Sequence, residues 1–121
     1  MTSNHSIIFK IASREAWATA EEAGRFDGAP IDLADGYIHF STADQMKETA
    51  AKHFAGQNDL VLIAFETHSF AEALKWEPSR GGALFPHVYA SIDPNDALWV
   101  KDLPLGPDGK HVFPALDFKG D

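Results

Sequence analysis

Two short runs in this chain space proton-transferring and ring-bearing side chains two residues apart. The first is Asp35-Gly36-Tyr37-Ile38-His39-Phe40-Ser41-Thr42 and the second is Phe85-Pro86-His87-Val88-Tyr89. Side chains alternate across an extended strand, so Tyr37, His39 and Ser41 share one face while Ile38 and Phe40 take the other. His87 and Tyr89 likewise share a face, with Val88 opposite. An imidazole changes charge near neutral pH, and a neighbouring hydroxyl can hydrogen-bond it or a substrate. The plain alternative for each histidine is a core imidazole satisfied by a hydrogen bond. Two strand-borne histidines, each with hydroxyl residues at i±2, favour a site.

Between the runs lies Trp76-Glu77-Pro78-Ser79-Arg80-Gly81-Gly82. A glutamate between a tryptophan and a proline is open to desolvation, which raises a carboxyl pKa, while Arg80 nearby lowers it. Two readings stand: a salt bridge that pins a loop, or a carboxylate that orients a hydroxyl or stabilises a cationic transition state. The Gly81-Gly82 pair permits close approach of a ligand, and Pro78 and Pro86 stiffen the ends. The expectation is one cleft lined by His39, Glu77, Arg80 and His87, walled by Trp76 and Phe85, and preferring anionic ligands.

The elements that must position these groups can be read from periodicity. Ser6 to Ile11 is a strand with Ile7, Phe9 and Ile11 on one face and Ile8 and Lys10 on the other. Lys10 reads as an edge or solvent-facing residue, with a cation at the wall of a site as the alternative. Ser13 caps a helix over Arg14 to Ala23 that stops at Gly24 and anchors Trp17 in the core. The segment from Phe26 to Asp35, with Gly28, Pro30 and three aspartates, reads as an irregular connection. Thr42 is expected to cap a second helix running to about Ala55, with Gln45 completing a capping box, so that its free N–H groups could hold an anion. Leu60 to Phe65 is an unbroken apolar run, the mark of a strand buried on both faces and the expected centre of the sheet. A helical turn follows over Thr67 to Lys75. Trp76 to Tyr89 is an unusual loop ending in the His87 strand, and a last strand spans Ala97 to Lys101. Strands outnumber helices, and the later strands are joined by short turns. This is an α+β pattern with a split, mostly antiparallel sheet and two principal helices.

At 121 residues the chain is expected to form one domain, with an ordered core over about residues 6–114. It holds no cysteine, which removes disulfides, thiol catalysis and cysteine-ligated metal. No apolar run suits a signal peptide or a membrane span, so the expected location is the cytoplasm. A formal net charge of −8 argues against an extended nucleic-acid footprint and for a small-molecule or protein partner. No P-loop, dinucleotide fingerprint, nucleophile elbow or zincin helix occurs. The six histidines include no pair at i, i+2 or i, i+4, so no metal is expected. Nothing in the sequence sets the oligomeric state or requires a cofactor.

The runs from Asp35 to Thr42 with Gln45, Trp76 to Gly82 and Phe85 to Tyr89 resemble an uncharacterised bacterial family, the domain of unknown function 952, over most of the chain from Ile7 to about Pro114. A more distant similarity is to the catalytic core of ADP-ribosyltransferases, especially the RNA 2′-phosphotransferase branch. It rests on a first strand, a helix, then His39-Phe40-Ser41-Thr42 opening a helix, then a buried strand. That resemblance implies an ADP-ribosyltransferase-like fold in which His39 and Ser41 handle a nicotinamide dinucleotide. The first strand departs from the pattern, reading Phe9-Lys10-Ile11-Ala12-Ser13.

Two functions are therefore expected as alternatives. One is an enzyme of ADP-ribosyl- or phosphotransferase type acting on a nucleotide, with NAD as a substrate. His39 would bind ribose or diphosphate, Ser41 and Thr42 would assist, Arg80 would add charge, Tyr37 or Tyr89 would stack on a ring, and Glu77 or His87 would do acid–base or oxocarbenium-stabilising work. The other is a non-catalytic module that uses the same pocket for a small metabolite or a peptide.

Overall fold

The computed structural model describes residues 6–78 and 82–114. Among the described residues, two three-stranded antiparallel sheets and three α-helices make an α+β fold. The first sheet holds β1 (Ile7–Ser13), β3 (Leu60–Glu66) and β6 (Trp99–Leu103) in the order β1-β3-β6. The second holds β2 (Ile38–His39), β4 (Leu74–Pro78) and β5 (Leu84–Val88) in the order β2-β5-β4. The sheets meet where Phe9 and Ser41 exchange backbone hydrogen bonds of 2.8 and 2.9 Å.

The apolar run of β3 is explained by what lies on either side of it. Val61, Ile63 and Phe65 pack with Trp17, Phe26, Phe40, Phe70 and Val88. Leu60, Leu62 and Ala64 pack with Phe9, Ile11, Met46, Ala50 and Leu103. A strand between two cores has no solvent face on which to place polar residues. The second sheet contributes Ile38 and Val88 to the first core, and alternation turns His39 and His87 to its other face.

The first helix follows its sequence signals closely. α1 (Arg14–Ala23) begins where the Ser13 hydroxyl accepts from the Ala16 amide at 3.1 Å, and Gly24 closes it at φ 77°. Elsewhere the expectations need correction. The presumed irregular connection contains α2 (Pro30–Asp35), which starts on a proline and is closed by Gly36 at φ 88°. The second long helix is shorter than expected. α3 (Met46–His53) starts four residues after Thr42. Only the glutamine half of the capping box forms, since Gln45 Oε1 accepts from the Thr42 amide at 3.1 Å while Gln45 Nε2 donates to the Leu84 carbonyl at 2.7 Å. The same side chain thus holds the Thr42 amide and ties this turn to β5. The unusual loop before His87 is largely a hairpin, with β4 and β5 paired from Leu74↔Val88 to Pro78↔Leu84. The helical turn before it is a pair of 3-10 turns, Thr67–Ser69 and Ala71–Ala73.

No helix among the described residues is long and apolar enough to cross a membrane.

Candidate functional site

The register of β2 against β5 decides the arrangement. Ile38 pairs with Val88 and His39 with His87, so the two histidines are direct cross-strand neighbours on one face. Their ring centroids lie 5.5 Å apart. Tyr37, just before β2, stacks on His87 at 4.1 Å and 26°, and lies 4.7 Å from His39 and 5.2 Å from Tyr89. This roof leaves His87 only 3% exposed, while the His39 side chain keeps about a third of its surface open.

Each imidazole is held by a carboxylate. His87 Nδ1 lies 2.7 Å from Glu77 Oε1, the same oxygen to which the Tyr89 hydroxyl donates at 2.7 Å. Glu77 reaches His87 diagonally from β4, because it pairs with Phe85 while Lys75 pairs with His87. The hydrogen bonds from His87 and Tyr89 hold the Glu77 carboxyl below its ordinary range. Glu77 in turn pushes the Tyr89 phenol up to about 12. Tyr37 is also raised, first by burial and then by the charges of Asp35 and Glu77.

His39 is held from beneath. Its Nδ1 is 2.6 Å from Asp32 Oδ1 and its backbone amide donates to that oxygen at 3.1 Å. Asp32 Oδ2 accepts from Lys10 Nζ at 2.9 Å and from the Ala29 amide at 2.8 Å. Lys10 Nζ also donates to the His39 carbonyl at 3.0 Å. Lys10 and Asp32 are 5% and 1% exposed. Burial would raise the Asp32 carboxyl, but the His39 hydrogen bond and the Lys10 charge outweigh it and hold it well below the usual carboxylate range. Burial lowers the Lys10 ammonium, with Asp32 partly offsetting the effect. On the outer side, His39 Nε2 lies 2.9 Å from Asp35 Oδ2.

The structure thus brings together Tyr37, His39, Glu77, His87 and Tyr89, and places Phe85 on the same face of β5. Arg80 lies outside the described residues. Three expected site residues are elsewhere. Ser41 does not continue the face of Tyr37 and His39, because its backbone crosses to β1 and its hydroxyl pairs with Thr49 at 2.9 Å in a buried position. Thr42 is buried and lies four residues before α3, its carbonyl accepting from the Gln45 and Met46 amides in the turn that precedes the helix. Trp76 pairs with Pro86, so alternation puts it on the sheet face opposite Glu77 and Lys75. Lys10 is not solvent-facing: it is buried and paired with Asp32.

Asp32 and Asp35 were not expected. The signal for Asp32 was Lys10 itself, since a charge inside an apolar strand must find a countercharge. Among the described residues no group of three histidine, aspartate or glutamate side chains is placed to hold a metal ion. What the face offers chemically is two carboxylate-held imidazoles beside two tyrosine rings.

Comparison with known families gives a match over residues 11–100 to the family described as Protein of unknown function (DUF952). The chain belongs to that family. Its description names no activity. This DUF952 chain is similar to the crystal structure of Protein CC0527 from Caulobacter crescentus, at 49% identity and a TM-score of 0.84, over 88% of this chain and 93% of that one. The solution NMR structure of CC0527 matches at 50% identity and a TM-score of 0.79, over 87% and 90% of the two chains. No curated protein matches the chain.

Proposed function

We propose that the His39–His87 face is the active site of an ADP-ribosyltransferase-like enzyme that takes a nucleotide substrate, with NAD as the candidate. The observation that carries this reading is the cross-strand pairing of the two histidines, each held at Nδ1 by a carboxylate. A base oriented by a third group is the usual form of an acid–base site. The junction of two antiparallel sheets at Ser41, with His39-Phe40-Ser41 running through it, adds support from fold analogy.

Tyr37 or Tyr89 would stack on a planar ring, and Lys75, across the strand from His87, would face the diphosphate. In the transfer, the bond from ribose C1′ to nicotinamide breaks and the electron pair leaves with nicotinamide. An acceptor oxygen bonds to C1′, and its proton passes to His39 Nε2. Glu77, kept anionic, would stabilise the cationic sugar. Calorimetry with NAD, ADP-ribose and simple nucleotides tests the reading. Binding of NAD that His39→Ala abolishes, with nicotinamide released in the presence of an acceptor, is the expected result. No heat with any of the three ligands would contradict it.

A second reading has its own observation. Both ring nitrogens of His39 face carboxylates and His87 is covered by Tyr37. A face satisfied in this way suits a non-catalytic module that binds a small metabolite or a peptide, and binding without nicotinamide release would favour it.

A further inference from the structure

We propose that Lys10 and Asp32 are positioning residues for His39: a buried ion pair that confines the ring proton to Nδ1 and leaves Nε2 as the atom that takes up and gives back a proton. The inference goes beyond the proposed reaction, although it would serve that reaction.

Asp32 accepts four hydrogen bonds, from Lys10 Nζ, the Ala29 amide, the His39 amide and His39 Nδ1. An ionised carboxylate only accepts, so a ring nitrogen facing one is satisfied only when it carries hydrogen. Both nitrogens of His39 face a carboxylate, and a neutral ring has one proton to place: Asp32, buried at 2.6 Å and fixed by three further donors, keeps it on Nδ1, while Asp35, exposed and at 2.9 Å, leaves the lone pair to Nε2. When Nε2 gains a proton, Asp35 Oδ2 at 2.9 Å is placed to accept it. Lys10 completes the arrangement from the other side. Its charge helps keep Asp32 ionised, and its second hydrogen bond goes to the carbonyl of His39 itself. The polypeptide is shaped around Asp32 as well. A Cβ on Gly28, which has φ 119°, would stand 2.7 Å from the Asp32 Cβ.

Stability alone does not account for such a pair. Desolvating two charges is expensive, and well-packed apolar residues often replace a buried pair without loss. A purely structural pair would leave the His39 tautomer indifferent to its removal, whereas a positioning pair has a readout at His39.

The test is the imidazole nitrogen spectrum of unliganded protein, followed with pH until one ring proton remains. Wild type is expected to show His39 protonated on Nδ1. Asp32→Asn offers an amide N–H to the ring and is expected to reverse the tautomer to Nε2–H. The double variant Lys10→Met, Asp32→Leu is expected to melt below wild type, since the Ala29 and His39 amides lose their acceptor, and to lose the Nδ1–H preference. An Nε2–H tautomer in wild type overturns the proposal even if every variant fails to fold. An unchanged tautomer in either folded variant also overturns it. No ligand enters the measurement, so failure to bind NAD would defeat the proposed function and leave this inference standing. NAD turnover with an indifferent tautomer would do the reverse.

Discussion

One oxygen atom of Asp32 accepts from His39 twice, from the backbone amide at 3.1 Å and from ring Nδ1 at 2.6 Å. Strand and imidazole are therefore fixed together by a residue seven positions earlier, at the centre of α2. A helix too short to contribute much core serves here to deliver one carboxylate beneath one ring.

That carboxylate should be visible in acid unfolding. Asp32 and Glu77 both have folded pKa values below their ordinary ones. A depressed carboxylate contributes stability above its unfolded pKa, about 4, and loses it as pH falls toward the folded value. Denaturant melts between pH 7 and pH 2 are expected to show stability falling from about pH 4 downward. Asp32→Asn should start less stable and fall less steeply. An identical slope in the variant would show that Asp32 is not anionic in the fold.

The Glu77–Tyr89 contact sets a second titration, at the alkaline end. Tyr89 is pushed up to about 12 by its hydrogen bond to Glu77. A raised phenol contributes stability below its unfolded pKa and loses it as pH rises through the folded value. Ultraviolet titration should find Tyr89 ionising near 12 in wild type and at lower pH, toward the ordinary phenol range, in Glu77→Gln. An ordinary phenol titration for Tyr89 in wild type would remove the contact.

Leu62 lies at the middle of β3 and is fully buried between Phe9, Met46 and Leu103. Leu62→Ala should cost about 2–5 kcal/mol in denaturant melts. A loss under about 1 kcal/mol would mean that this side of β3 is not packed.

Much of the frame was legible because it rests on local chemistry. Ser13 and Gly24 bracket α1, and the run from Leu60 to Phe65 announces a strand between two cores. Alternation alone put Tyr37 with His39, and His87 with Tyr89. What escaped depends on pairing between distant residues. The face of Trp76 is set by the register of the β4–β5 hairpin, and no short pattern encodes it. Ser41 leaves the histidine face because Phe9 offers it a backbone partner. α2 was hidden by its length and its aspartates, and with it the countercharge of Lys10.

Whether His39 and His87 form one ligand site is tested most directly by the imidazole proton resonances of both histidines, followed as NAD is added. The two sets are expected to shift together and saturate at the same NAD concentration, while His53 and His111, on α3 and near the end of the described chain, do not move. Saturable NAD binding that leaves the His39 and His87 resonances in place would contradict a shared site.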